Sequence, residues 1–221
     1  MALLTTTKRR GRASARISHA AASRHLAKTD PVLHRLIASI GPCELRPRHH
    51  HFATLCDSII SQQLSTKVAE VIFDRFADLY PGRRPTPQAV VRTALPRLRA
   101  AGLSRQKAGY LKDLAAGFLD GRVQPSRMAR QSNEEIIEAL VSIHGIGRWT
   151  AEMFLIFSLS RPDVLPVDDL GIKKAIQRWY QLPVLPSPKK IRAIGKAWHP
   201  YETVASWYLW RSLGLNSSPL S

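Results

Sequence analysis

Cysteine is almost missing from this chain: only Cys43 and Cys56 occur among 221 residues. Two thiols cannot build a disulfide framework or a four-cysteine metal cluster, and both are expected as small, packed apolar groups in a reducing interior. Long apolar runs are missing too. Arg, Asp or Lys interrupts every one before the ~18 residues that a membrane-spanning helix needs, so no membrane partner is expected. Acid is the third shortage. Against 33 Lys and Arg stand 16 Asp and Glu, giving a net charge of +17 and an isoelectric point near 10.8. Such an excess attracts polyanions, and ribosomal-type RNA or an acidic membrane surface would satisfy it as DNA does.

Part of this charge is terminal. Residues 1–28 hold Lys8, Arg9, Arg10, Arg12, Arg16, Arg24 and Lys28 with no acid, and without these seven the remainder still carries +10. The segment lacks the continuous apolar stretch of a secretory signal. Its composition suits an organelle transit peptide, but the preferred reading is a disordered basic arm that adds DNA affinity without structure. The expected division is a tail over 1–24, one domain over 25–215 and a second tail over 216–221. In a bacterium this implies a cytoplasmic, nucleoid-associated protein; targeting to an organelle or the nucleus by the basic segment is the alternative.

No stretch alternates with the period of two that a strand requires. Apolar residues instead recur at helical spacing over 31–40, 52–63, 66–79, 88–93, 96–101, 105–119, 133–143, 148–159, 170–179, 188–197 and 201–213, which predicts an all-α fold. Punctuation agrees with the periodicity. Thr86-Pro87 and Ser187-Pro188 pair a capping hydroxyl with proline in the first turn, Ser132 through Glu135 form a capping box, and Gly102, Gly121 and Gly214 suit helix ends.

The segment from Leu140 to Asp169 carries the chemistry. An amphipathic run meets the turn His144-Gly145-Ile146-Gly147, a second run starts at Arg148, and Leu165-Pro166-Val167-Asp168-Asp169 follows. Gly145 and Gly147 are expected to allow backbone conformations closed to other residues and to bare the amide groups at the next helix start. Those amides and the positive end of the helix dipole suit a phosphate, with Arg148 and the Thr150 hydroxyl adding charge and a donor. Either Asp168 or Asp169 can instead cap the helix beginning near Leu170.

These residues resemble the helix-hairpin-helix DNA glycosylase superfamily, and within it the 3-methyladenine DNA glycosylase II, or AlkA-type, branch. The similarity rests on Gly145-Ile146-Gly147-Arg148-Trp149-Thr150-Ala151, on Asp169-Leu170-Gly171-Ile172 after a proline loop, on Ser58 through Ser65, and on Trp198-x-Pro200 leading to Trp210. It implies two helical lobes flanking a cleft, the first about 50–160, the second 25–49 with 161–215, and no α/β region before them. It also implies monofunctional excision of alkylated purines, such as 3-methyladenine and 7-methylguanine, from double-stranded DNA by base flipping, leaving an abasic site.

Residue roles follow from the same resemblance. Asp169 is the expected catalytic carboxylate, stabilising positive charge that grows on the sugar or activating water. Trp149, Trp210 and Met153 line the base pocket, the indoles adding a cation-π attraction of roughly 0.5 to 2 kcal/mol for a methylated purine. Met153 stands where some relatives carry an aromatic. Gln62 and Gln63 match the wedge that fills the gap left by a flipped base, although a bare Gln-Gln pair also reads as an exposed helix end. Glycosylases that also nick DNA carry a Schiff-base lysine where this chain has Trp149, so no strand cleavage is expected. The iron-sulfur branches are disfavoured by the missing cysteines.

No cofactor is required by this reading, but the resemblance implies a structural Na+ or K+ held by the carbonyls of Val141, Ile143 and Gly145. His49-His50-His51 is read as a surface helix start rather than a metal site. One flipped base needs one subunit, so a monomer is expected. The rival readings are a noncatalytic helix-hairpin-helix DNA-binding module, which would need no downstream aspartate or pocket tryptophans, and a glycosylase for other damaged purines.

Overall fold

The computed structural model describes residues 18–48 and 50–215, and the described residues contain helices and no strand. Thirteen α-helices follow in chain order: α1 His19–Thr29, α2 Pro31–Ile40, α3 His51–Ser61, α4 Thr66–Ala77, α5 Pro87–Arg92, α6 Leu95–Ala100, α7 Arg105–Leu119, α8 Pro125–Met128, α9 Asn133–Val141, α10 Arg148–Phe157, α11 Leu170–Trp179, α12 Pro188–Gly195 and α13 Glu202–Ser212. Short 3-10 turns lie at Pro81–Arg83 and Lys196–Trp198. No helix is long and apolar enough to cross a membrane. Every helix expected from periodicity is present, with ends displaced by at most two residues, and the expected caps close: Thr86 accepts from Ala89 N–H, Ser187 from Lys190 N–H, and Ser132 and Glu135 form the reciprocal box.

Helix α1 is the main departure. The basic arm expected over 1–28 is helical from His19, so a domain boundary at residue 25 would cut a helix. Alanine-rich composition favours the conformation, Ser18 caps its start, and Ala22 and Leu26, four residues apart, are fully buried. The helix packs on its neighbour α2, and on α13 and the Lys196–Trp198 turn far along the chain, so local charge gave no hint of burial. Residues 1–17 and the expected tail over 216–221 lie outside the described residues.

The most extensive helix contacts fall into two groups. Helices α3, α4, α5, α6, α7, α9 and α10 pack among themselves, and α1, α2, α11 and α13, with α12 and its adjoining turn, pack among themselves. The second group therefore joins helices from both ends of the described chain. Its centre is polar. Asp30 is buried; its Oδ1 caps α2 by accepting from Val32 and Leu33 N–H at 2.8 and 3.1 Å, while Oδ2 accepts from the Tyr180 hydroxyl and, at 2.8 Å, from the indole N–H of Trp198. Trp198 itself is fully buried, and Trp179 and Trp207 are buried too.

In the first group, α9 and α10 are joined by the hairpin. Gly145 has φ +86°, and an added Cβ would stand 2.2 Å from the Tyr110 ring on α7, so both conformation and space demand glycine. Gly147 differs from expectation: with φ −90° and ψ 169° its backbone is open to any residue. What its missing side chain provides is clearance, since an added Cβ meets nothing within 4 Å.

Two stability effects follow. Asp30→Ala leaves several buried donors without an acceptor and should cost about 2–4 kcal/mol, seen as a lower urea midpoint with an unchanged slope. Gly145→Ala should destabilise by about 1–3 kcal/mol through overpacking and backbone strain, whereas Gly147→Ala should leave the thermal midpoint within a degree or two of the parent, about the effect of a neutral surface change.

Candidate active site

Asp169 ends the loop after α10 and stands at the start of α11, where its buried carboxylate is held by three N–H groups. Oδ1 accepts from Ile172 N–H at 2.8 Å, capping α11, and from the Trp210 indole at 2.9 Å. Oδ2 accepts from the Trp149 indole at 2.7 Å. Trp149 comes from α10 in the first helical group and Trp210 from α13 in the second, so the aspartate stitches the two groups together. Among the described residues no lysine or arginine pairs with it. Neutral dipoles and a helix N-terminus therefore support the anion without cancelling its charge, which is what a cation forming nearby would require.

Asp168, the other candidate, takes a different course. Its side chain is largely exposed and pairs with Lys173 at 3.2 Å. The geometry separates the two carboxylates that sequence could only rank by resemblance.

The expected pocket residues converge in part. Trp149 is half exposed beside Asp169, and the Trp210 ring stacks on Phe157 with centroids 5.9 Å apart and planes inclined by 26°. Met153, one helical turn beyond Trp149, lines a cavity of about 150 Å³ with Arg48, Thr54, Ser58, Phe154 and Phe157. Phe157 thus links the cavity to the Trp210–Asp169 pair. Sequence reasoning gave Phe157 no role; its helical spacing, four residues beyond Met153, was the available signal. Gly171 also went unassigned. A Cβ there would lie 3.0 Å from Asp169 Oδ1 and 3.1 Å from Trp210, so glycine is what lets the indole reach the carboxylate.

The hairpin is anchored on two sides. Asp113 of α7 accepts from the backbone N–H of His144 at 2.8 Å and contacts its ring nitrogen at 2.6 Å, while Arg122 pairs with the same carboxylate at 2.9 Å. Burial opposes ionisation of Asp113, but the His144 and Arg122 hydrogen bonds outweigh it and bring its pKa down to about 2. From α3, Gln62 donates its side-chain amide to Gly145 O at 2.7 Å. Gln62 is therefore tied inward, and of the two expected wedge residues only Gln63, exposed and with φ +59°, projects freely.

Arg148 and Thr150 also depart from expectation. The Arg148 guanidinium makes a two-pronged pair with Glu134 at 2.7 and 2.8 Å and reaches Glu152 at 3.3 Å. The Glu134 hydrogen bonds, more than any other contact, raise its pKa. Burial in turn raises the pKa of Glu152, against the pull of Arg148. Thr150 is buried, 7% exposed. Since α10 has no side-chain cap, the donors the hairpin offers to an anion are the first-turn amides. Neither acid was foreseen: Glu134 lies on the preceding helix and meets Arg148 only once the hairpin closes, whereas the helical spacing of Glu152, four residues beyond Arg148, was the available signal. His50 is exposed and His51 packs edge-on against Phe154 at 5.5 Å; among the described residues no cluster of metal-binding side chains exists.

Residues 56–200 match the family described as HhH-GPD superfamily base excision DNA repair protein. The chain is 37% identical over 193 residues to DNA-3-methyladenine glycosylase 1 of Schizosaccharomyces pombe, covering 85% of each protein. Among solved structures, the S. pombe 3-methyladenine DNA glycosylase in complex with abasic DNA superposes with a TM-score of 0.76 at 36% identity, covering 89% of this chain and 98% of that one. The DNA-3-methyladenine glycosidase of Bacillus halodurans gives 0.80 at 36% identity, covering 87% and 89%. The span of the family match and the identity to these relatives lead to one conclusion: the chain belongs to the helix-hairpin-helix (HhH-GPD) superfamily of base excision DNA repair proteins.

Proposed function

We propose that this protein is a monofunctional DNA glycosylase that hydrolyses the N-glycosidic bond of alkylated purines, 3-methyladenine and 7-methylguanine among them, in double-stranded DNA. The observation that carries the reading is the Asp169 carboxylate, held by the Trp149 and Trp210 indoles and the α11 amides with no neutralising cation among the described residues. The names of the similar glycosylases support the substrate class, and the abasic-DNA complex of the S. pombe relative supports DNA as the partner. One flipped nucleotide occupies one site, so the protein acts as a monomer.

The chemistry balances without a cofactor. The bond between C1′ and the base nitrogen breaks, its electron pair leaves with the base, and the sugar acquires oxocarbenium character facing Asp169. An N-alkylated purine is already cationic and departs neutral, so it needs no protonation. Water attacks C1′ and gives its proton to the carboxylate or to solvent. Electrostatic stabilisation of a charge that exists only near the transition state raises the rate rather than merely the affinity.

The base must leave the stack first. A cavity of about 150 Å³ accepts a benzene-sized ring, so the space between α3 and α10 takes one ring of a purine and leaves the rest against Trp149 and Trp210. An electron-rich indole face there favours a cationic base over its undamaged parent. The amides at Gly147 and the first turn of α10 grip a phosphate, with the clearance above Gly147 allowing close approach.

A monovalent cation would sit on the carbonyls of Val141, Ile143 and Gly145. Ile143 O already accepts from Ile146 N–H and Gly145 O from Gln62. Each carbonyl keeps a second lone pair, so the donor set suits a weakly held Na+ or K+ that would strengthen the phosphate grip. No step of the hydrolysis passes through it.

Asp169→Asn should lower release of methylated purine from duplex DNA by about 10²–10³-fold while DNA binding persists, measured by chromatography of free bases. Asp168→Asn should release bases at close to the parent rate. With the parent protein, borohydride should trap no covalent DNA adduct. Full release by Asp169→Asn, or a trapped adduct, would contradict the assignment.

A further inference from the structure

We propose that Lys107 is a positioning residue that sets the wedge for strand intercalation, an inference that rests on the glycosylase reading above. Helix α3 ends at Ser61 and the chain turns sharply: Gln62 has φ −53° and ψ 129°, and Gln63 enters the left-handed region at φ +59°. Such a conformation is unfavourable for a residue with a Cβ and persists only where its surroundings enforce it. The enforcement comes from α7. The Lys107 ammonium donates to Ile60 O at 2.7 Å and to Gln62 O at 2.6 Å, gathering carbonyls that the end of α3 leaves without helical partners.

This lysine has no other evident employment. Among the described residues it pairs with no carboxylate, so its ammonium is committed to the two carbonyls, and burial lowers its pKa. Gln62, clasped through its carbonyl by Lys107, donates its side chain to Gly145 O. The end of α3, the start of α7 and the hairpin thus form one fixed unit. Gln63 is the exposed residue of that turn, and it borders a cavity of about 460 Å³ lined also by Leu64, Ile72, Leu103, Lys107 and Tyr110. A wedge held in this way enters the duplex already ordered, so the ordering cost falls on folding rather than on base extrusion.

The test compares Lys107→Met, Lys107→Gln, Lys107→Arg, Gln63→Ala and the Lys107→Met/Gln63→Ala pair on duplex DNA carrying 7-methylguanine. The same lesion in a mismatched bubble, where little unstacking is needed, serves as reference. A 2-aminopurine beside the lesion reports extrusion by fluorescence. Lys107→Met and Gln63→Ala should each lower the ratio of duplex to bubble excision by about 10- to 100-fold and reduce the fluorescence rise. The pair should do no worse than the poorer single variant, since both remove one device. Lys107→Arg should recover part of the loss; Lys107→Gln, which keeps one donor group, gives the same reading if the methionine variant folds poorly.

Equal losses on duplex and bubble, or additive effects in the pair, would overturn the proposal, as would a normal fluorescence rise with Lys107→Met. If the parent protein releases no base from either substrate, the glycosylase reading fails. The fluorescence comparison still decides the role of Lys107 in that case.

Discussion

A carboxylate buried without a counter-ion is costly unless hydrogen bonds replace the water it has lost. At Asp169 three N–H groups do so, one from the turn of α11 that it caps and two from indoles on separate helices. Satisfying this anion fixes the relative placement of α10, α11 and α13, and with them the junction of the two helical groups. The same arrangement supplies the chemistry. Donors that are neutral leave a full negative charge directed at the cleft, whereas an arginine in their place would have stabilised the fold and cancelled the field.

The hairpin answers a second requirement, that the DNA backbone be held at a defined distance from that charge. It is secured by Asp113 beneath His144, by Tyr110 packed where Gly145 has no side chain, and by Gln62 on the Gly145 carbonyl. None of these contacts is itself an anion site. They immobilise the turn so that the amides of α10 stay unpaired and outward, while Arg148 is drawn to Glu134 and Glu152 and steadies the start of the helix.

Much of this was legible in the residues. Periodicity and caps gave the helices because both are local, and the order of hairpin, tryptophan and aspartate pointed to the site because that chain segment carries most of it. Legibility stopped where the decisive partner is distant. The burial of α1 depends on α13 and the Lys196–Trp198 turn as well as on its neighbour α2, and the roles of Phe157 and Gly171 depend on Trp210, which arrives on α13. Arg148 looked like a phosphate ligand in sequence because Glu134, its two-pronged partner, lies on the preceding helix, although Glu152 stands one turn along α10. Gln62 and Gln63 looked equivalent until a turn into the left-handed region sent one inward and left the other exposed.

The central claim is that Asp169 acts through an uncancelled charge facing the sugar. Its most direct measure is the affinity for duplex DNA carrying a cationic pyrrolidine in place of the deoxyribose, compared with a neutral tetrahydrofuran abasic analogue of the same shape. The parent protein should prefer the cationic analogue by at least about 100-fold, as enzymes prefer transition-state mimics, and the preference should collapse in Asp169→Asn. Equal affinity of the parent protein for both analogues would contradict the account.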